Sequence, residues 1–174
     1  MMNNADVLNR EIVFAGKVFD VERAKVRLPH GRESTQEVVR HSKSAVLIPV
    51  PAPGQLILIR QYRFALNTWM WELPAGSVDE GESPEQAAAR ECHEEIGKVP
   101  ATVVRLAALY PTPGYCDEEI IFFRLSGLED SHEKAAVDED EDIEARTFEL
   151  REAREMIRRG EIVDMKTIVG IGLI

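Results

Sequence analysis

From Gly76 to Lys98 the chain reads GSVDEGESPEQAAARECHEEIGK, and no other stretch restricts its fold as tightly. Ser83-Pro84-Glu85-Gln86 is a helix start: Ser83 suits the N-cap, Pro84 the first helical position, where its missing N–H is no loss, and Gln86 closes a capping box. Nothing from Pro84 to Ile96 breaks a helix, and Gly97 suits the left-handed residue that ends one. The spacing therefore predicts a helix over 84–96. At about 100° per residue, Glu91, Glu94 and Glu95 fall on one face, and Ala88, Ala89, Cys92 and Ile96 form the adjoining apolar stripe. One flank packs on a core. The other carries like charges four residues apart, Glu91 and Glu95, which repel unless a cation joins them. Arg90 is expected to pair with only one or two of these carboxylates. Such a face is either a solvated one or a site for a hard cation, Mg²⁺ or Mn²⁺, which binds through a few carboxylates and substrate phosphates.

Gly76, Glu82 and Arg90-Glu91-Cys92-His93-Glu94-Glu95-Ile96-Gly97 match the pattern G-x5-E-x7-R-E-U-x-E-E-x-G-U, where U is a bulky apolar residue. In this the chain resembles the Nudix hydrolases. Cys92 is small for its U position and Lys98 is polar at the last one; both departures bear on packing rather than on ligands. The resemblance implies an α+β chain with the Nudix fold, an α/β/α sandwich around a mixed sheet, and Mg²⁺-dependent hydrolysis, with Mn²⁺ as the other metal it admits. It makes Glu82, Glu91, Glu94 and Glu95 metal ligands. Ala75, just before the signature glycine, offers its carbonyl to the metal. Glu95 and Arg90 also enter the catalytic set, Arg90 by holding the glutamates in place.

At 174 residues the chain is the size of one ordinary domain with room for a small accessory element. A net charge of −10 argues against a protein that grips nucleic acid through its phosphates. Two cysteines make no disulfide framework, and no apolar run is long enough to span a membrane, so a reducing cytoplasm is the expected home. Ile12, Phe14, Val18, Val21, Val26 and Leu28 suggest two strands between Arg10 and Leu28, turned at Gly16-Lys17. After the turn 29–32, a third strand runs from Thr35 to His41. This predicts an antiparallel sheet in residues 1–42, ahead of a main domain in 43–174. Nudix enzymes that cleave ADP-ribose and related nucleotide sugars commonly exchange such a sheet between subunits. That likeness implies a domain-swapped homodimer; the plain alternative is an edge sheet capping a monomer.

The flanks of the signature narrow the substrate. Gln61-Tyr62-Arg63 and Glu72-Leu73-Pro74-Ala75-Gly76 resemble segments of the nucleotide-sugar pyrophosphatases, and Arg63 is shaped to grip a diphosphate bidentately. Trp69 and Trp71 would share one face of a strand, there either to stack a base or to pack in the core or a dimer contact. Pro111-Thr112-Pro113-Gly114 resembles a loop of the ADP-ribose subgroup, which makes Pro113 and Gly114 candidates for substrate binding, with Arg40 grouped beside them. Glu118 reads either as a further ligand of substrate or metal or as an exposed acidic turn. The acidic run 137–143 is first a solvated block of charge. It also resembles the loop that gives ADP-ribose pyrophosphatases a glutamate acting on the attacking water, with Glu139 the best match and Glu141 the fallback. The charged helix predicted over 150–160 and the apolar segment 167–174 offer no chemistry. The four histidines are scattered and form no zinc cage.

The function that follows is hydrolysis of a nucleoside diphosphate sugar, first of all ADP-ribose to AMP and ribose 5-phosphate. GDP-mannose, another such sugar, or a dinucleoside polyphosphate is the alternative substrate. A non-catalytic nucleotide-binding module would carry a damaged signature, and this one is intact.

Overall fold

The computed structural model describes residues 4–131 and 143–174. They form two compact units, one of residues up to Lys43 with Tyr110–Glu119, the other of Ser44–Leu109 with the described residues from Ile120 onward.

In the first unit β1 (Asp6–Ala15), β2 (Phe19–Arg27) and β3 (Glu33–His41) make an antiparallel sheet in that order. The strand period of two is plain in β2, where Glu22, Ala24 and Val26 are buried between exposed Arg23, Lys25 and Arg27. β1 starts at Asp6, earlier than its pattern suggests, because its apolar residues do not alternate: Val7, Leu8, Ile12, Val13 and Phe14 are all exposed. The β1–β2 turn closes around Gly16, where a Cβ would lie 2.7 Å from both the Phe14 ring and the Phe19 carbonyl oxygen. Segment 110–119 joins this sheet: Val39 N–H donates to Tyr115 O at 2.7 Å, and Asp117 N–H donates to Val39 O at 3.2 Å.

The second unit runs β4 (Ser44–Pro49), β5 (Gln55–Arg63), a 3-10 turn Phe64–Leu66, β6 (Thr68–Glu72), β7 (Ala75–Ser77), α1 (Pro84–Ile96), β8 (Lys98–Leu109), β9 (Ile120–Asp130), β10 (Ile143–Glu149), α2 (Leu150–Arg158) and α3 (Met165–Gly172). One sheet has the order β7-β4-β9-β8, with β4 and β9 parallel and the other neighbours antiparallel; a second has the order β10-β5-β6. Every residue of β4 is buried, as an apolar strand must be when both its faces are covered. On one face Ala45, Leu47, Ile121, Phe123 and Leu125 cluster with Ala87, Ala88 and Cys92 of α1. On the other, Val46, Ile48, Ile120 and Phe122 cluster with Ala153 and Met156 of α2 and Ile171 of α3. Each fully buried large side chain in these layers contributes about 1.5–3 kcal/mol of transfer free energy. The result is the mixed α/β/α sandwich. Among the described residues no helix is long and apolar enough to cross a membrane.

The helix α1 keeps its predicted limits. Ser83 Oγ accepts from Gln86 N–H at 3.2 Å, Gln86 Oε1 accepts from Ser83 N–H at 2.8 Å, and Gly97 is left-handed with φ 66°. Its inner stripe differs from the expected one by a small rotation: Ala87, Ala88, Cys92 and Glu95 are buried, and Ala89 is only half-buried. The rotation has a cause in Glu95, whose carboxylate is drawn inward by a backbone N–H of β7.

Candidate active site

β7 lies along β4 with Val46 opposite Ala75, Ala45 opposite Gly76 and Ser44 opposite Ser77, and α1 packs over this pair. The carboxylates of α1 thereby meet the strand. Glu95 Oε2 accepts from Ala75 N–H at 2.9 Å. Glu91 lies against Gly76 so closely that a Cβ there would sit 1.9 Å from Glu91 Oε1. A side chain at this position would displace the carboxylate above it.

Arg90 ties the rest together. Its Nε and Nη2 donate to the two oxygens of Glu82 at 3.1 and 3.0 Å, and Nη1 donates to Glu91 at 2.6 Å and to Glu94 at 2.8 Å. Nη2 donates as well to Ser77 O at 2.9 Å, so all five guanidinium N–H groups have acceptors. Of the three helix carboxylates Arg90 pairs with two, Glu91 and Glu94, as expected, and the loop before α1 returns Glu82 to it as a third acceptor. The Glu82 hydrogen bonds raise the pKa of Arg90 above its ordinary value, and those same bonds lower that of Glu82. The cluster is a set of fixed, partly buried carboxylates on one cation.

Ala75, Glu82, Arg90, Glu91, Glu94 and Glu95 are thus brought together. Among the described residues no three His, Cys, Asp or Glu side chains surround a common point as a finished metal cage does. The donor chemistry nonetheless suits a hard divalent cation: Glu91, Glu94 and Glu95 supply carboxylate oxygens and Ala75 a carbonyl, with no thiolate or imidazole among them. Cys92, buried in the layer beneath, has its thiol pushed up to about 12 by burial and is inert packing.

Arg63, shaped to grip a diphosphate, forks here onto a carboxylate of its own chain. Its Nε and Nη2 donate to Glu72 Oε1 and Oε2 at 2.9 and 2.7 Å. The Glu72 side chain is 2% exposed and that of Arg63 39%. Lys166 Nζ also bonds Glu72 Oε2, and it donates to Asp164 Oδ2 at 3.1 Å. Asp164 caps α3 by accepting from Thr167 N–H at 2.9 Å, while Thr167 Oγ1 accepts from Leu73 N–H at 2.7 Å. Burial pushes the Glu72 carboxyl pKa up, but the Arg63 hydrogen bonds and the Lys166 charge outweigh it and hold the group below its ordinary value. Thr167 lies in a segment the sequence reading gave no chemistry, and Asp164 and Lys166 just before it were not singled out. The visible signal was an N-cap Asp three residues before Thr167; nothing local announced Glu72 as their partner.

The tryptophans part company. Trp71 packs edge-on against Phe148, ring centroids 4.9 Å apart, at the margin of the core. Trp69 stays exposed, with the Tyr62 ring 5.7 Å away and the Arg60 guanidinium 5.5 Å over its face.

Arg40, Pro113, Gly114 and Glu118 belong to the first unit. Arg40 donates to Glu22 at 2.7 Å and to Asp117 at 2.9 Å, and His41 Nδ1 lies 3.9 Å from Glu118 Oε1. The hydrogen bond from Arg40 lowers the Glu22 pKa. Thr112 O, just before Pro113, accepts the N–H groups of Tyr115 and Cys116 at 3.1 and 3.0 Å. Glu139 and Glu141 lie outside the described residues.

Comparison with known proteins bears on this arrangement. The family model of the NUDIX domain matches residues 40–166. An ADP-ribose pyrophosphatase of Bacillus subtilis (strain 168) is 35% identical over 162 residues, covering 93% of this chain and 88% of the relative. A methanol dehydrogenase activator of Bacillus methanolicus is 32% identical over 164 residues, covering 94% and 89%. The crystal structure of an ADP compounds hydrolase superposes with a TM-score of 0.86 at 22% identity, over 99% of this chain and 93% of that one, a likeness of fold.

Proposed function

Because the chain belongs to the NUDIX family, we propose that it is a pyrophosphohydrolase that cleaves ADP-ribose to AMP and ribose 5-phosphate. The observation that carries this reading is the Arg90 hub, which fixes Glu82, Glu91 and Glu94 beside a Glu95 anchored on the Ala75 N–H. Fixed carboxylates at a strand edge suit a polyanionic substrate only with cations between. Mg²⁺, or Mn²⁺ in its place, is the proposed cation, held by Glu91, Glu94, Glu95, Glu82 and the Ala75 carbonyl. When bound it neutralises the diphosphate and acidifies a water. Arg90 touches no substrate in this scheme; it keeps the carboxylates from springing apart. Glu139, with Glu141 as the alternative, is the proposed base that takes a proton from the attacking water. Exposed Trp69 is the proposed face for the base, and Trp71 supports it from the core. Arg63 is proposed to bind the diphosphate. The relative named for ADP-ribose supports the choice of substrate.

Arg40, Pro113, Gly114 and Glu118 contribute to the substrate pocket. Residues 1–42 are a dimerisation element and 43–174 the catalytic domain. The chain is a homodimer whose N-terminal sheet is exchanged, which the wholly exposed β1 with its five large apolar side chains supports. It works in the cytoplasm, which two free cysteines support.

The test is a panel of ADP-ribose, GDP-mannose, diadenosine polyphosphates and nucleoside triphosphates, each with Mg²⁺, Mn²⁺ or a chelator, read by product chromatography. AMP and ribose 5-phosphate in equal amounts from ADP-ribose, faster than any other turnover and abolished by chelation, is the expected result. Glu95→Gln keeps an oxygen for the Ala75 N–H, so the fold should survive while kcat falls by about 10²-fold or more. Preferential turnover of another substrate, or an unaffected Glu95→Gln, would overturn the reading.

A further inference from the structure

Glu72 is a carboxylate taken almost wholly out of water and given two cations, Arg63 and Lys166. A buried carboxylate needs one cation; left with none it is strongly destabilising. The two are not equivalent. The Lys166 side chain is 15% exposed and is tied at its far side to Asp164, which caps α3, so the ammonium is held by the fold. Arg63 ends β5, its side chain is 39% exposed, and its guanidinium hydrogen-bonds to Glu72, with the charges of Glu95 and Asp164 also acting on it. One counter-ion is anchored on its far side as well, and the other, more exposed, is held through its fork on Glu72.

Resting on the reading that Arg63 meets the diphosphate, we propose that Arg63 exchanges its fork between Glu72 and the substrate, and that Lys166 is the positioning residue that permits the exchange. In the substrate-free state the guanidinium forks onto Glu72, within reach of the Glu95 charge. A diphosphate offers the same bidentate acceptor geometry with more charge. When the fork turns to it, Glu72 remains compensated by Lys166 and the Glu72–Ala75 segment stays in place. That segment is pinned independently, through Leu73 N–H to Thr167 Oγ1 and Leu47 N–H to Pro74 O at 2.8 Å. The Ala75 carbonyl therefore keeps its position while Arg63 moves. Lys166 acts only through Glu72 and touches no reacting atom.

Calorimetric binding of two ligands in the presence of Mg²⁺ tests this: inorganic pyrophosphate and the non-hydrolysable α,β-methylene analogue of ADP-ribose. Lys166→Met should weaken both by about tenfold or more, because Arg63 can no longer leave Glu72, and Lys166→Arg should stay within about threefold of wild type. In an Arg63→Ala background the same Lys166→Met change should alter affinity by less than about twofold. Removing the carboxylate removes the need for a counter-ion, so Glu72→Gln/Lys166→Met should regain the lost affinity, and this variant decides the matter if Lys166→Met alone melts early by circular dichroism. Wild-type affinity in Lys166→Met, equal weakening in the Arg63→Ala background, or no recovery in the double variant overturns the exchange. An Arg63→Ala chain that binds like wild type overturns both the exchange and the diphosphate role of Arg63. Binding of pyrophosphate without the analogue sinks only the ADP-ribose reading, and the exchange is then decided on pyrophosphate.

Discussion

At Gly76 the Glu91 carboxylate occupies the place where a side chain would stand. A Cβ at that position would lie 1.9 Å from Glu91 Oε1 and 2.1 Å from Glu91 Cδ, far inside van der Waals contact, so one of the two must move. Gly76→Ala should therefore push the Glu91 carboxylate off the strand and lower kcat by more than about tenfold, a size typical of small displacements in a reacting constellation. The far-ultraviolet dichroism should be unchanged, since α1 is capped elsewhere. Wild-type turnover in this variant would mean that Glu91 need not rest on β7. The same close approach explains why a glycine begins the signature when its backbone is not left-handed. From the sequence alone that glycine is legible only as part of a pattern. Its reason lies in an atom fifteen residues further along, brought over it by the β7–α1 connection.

At the scale of elements, β5, β6 and α3 are joined at one buried charge. Because Arg63 and Lys166 hold the Glu72 carboxyl below its ordinary value of 4.5, the unfolded chain binds a proton there more readily than the folded one. The pairing therefore stabilises the fold fully above that ordinary value, and its contribution is lost as pH falls through the lower, folded value. Urea unfolding of wild type and Glu72→Gln should differ most near about pH 7 and converge as the pH falls below 4.5. A gap that does not narrow on acidification would show that the ion pairs do not carry it. Legibility follows the range of the interactions. The helix α1 could be read to the residue, since Ser83, Pro84, Gln86 and Gly97 act on their own neighbours. Strand β10 could not, because it is an edge strand whose residues Glu144 to Thr147 are exposed and show no alternation. Lys166 stands 94 residues from Glu72, and no local pattern encodes a pairing at that distance.

For the whole molecule, the exposed strand β1 is the feature an isolated chain leaves unexplained. Long apolar edge strands invite pairing, and natural proteins normally cover or charge them. Ile12 and Phe14, 52% and 53% exposed, are the side chains to change. Sedimentation should place wild type at twice the chain mass and Ile12→Glu/Phe14→Glu at the chain mass; a wild-type monomer would remove the proposed dimer. One consequence of the strand order remains. β4 and β9 are the parallel neighbours in the central sheet, and their register pairs Ser44 with Ile120 through Pro49 with Leu125. Everything between them in sequence, including Glu72, β7 and the whole of α1, is a loop that must be closed before that pairing can form. Hairpins such as β5–β6 gain their bonds early and locally, whereas this closure carries the larger entropy loss and belongs to the slow part of folding. The Arg90 pairs of the acidic cluster are local to α1 and the loop before it, but the seats of Glu95 on Ala75 and of Glu91 over Gly76 need β7 paired to β4, so the carboxylates reach their places on the strand only with the sheet that carries it.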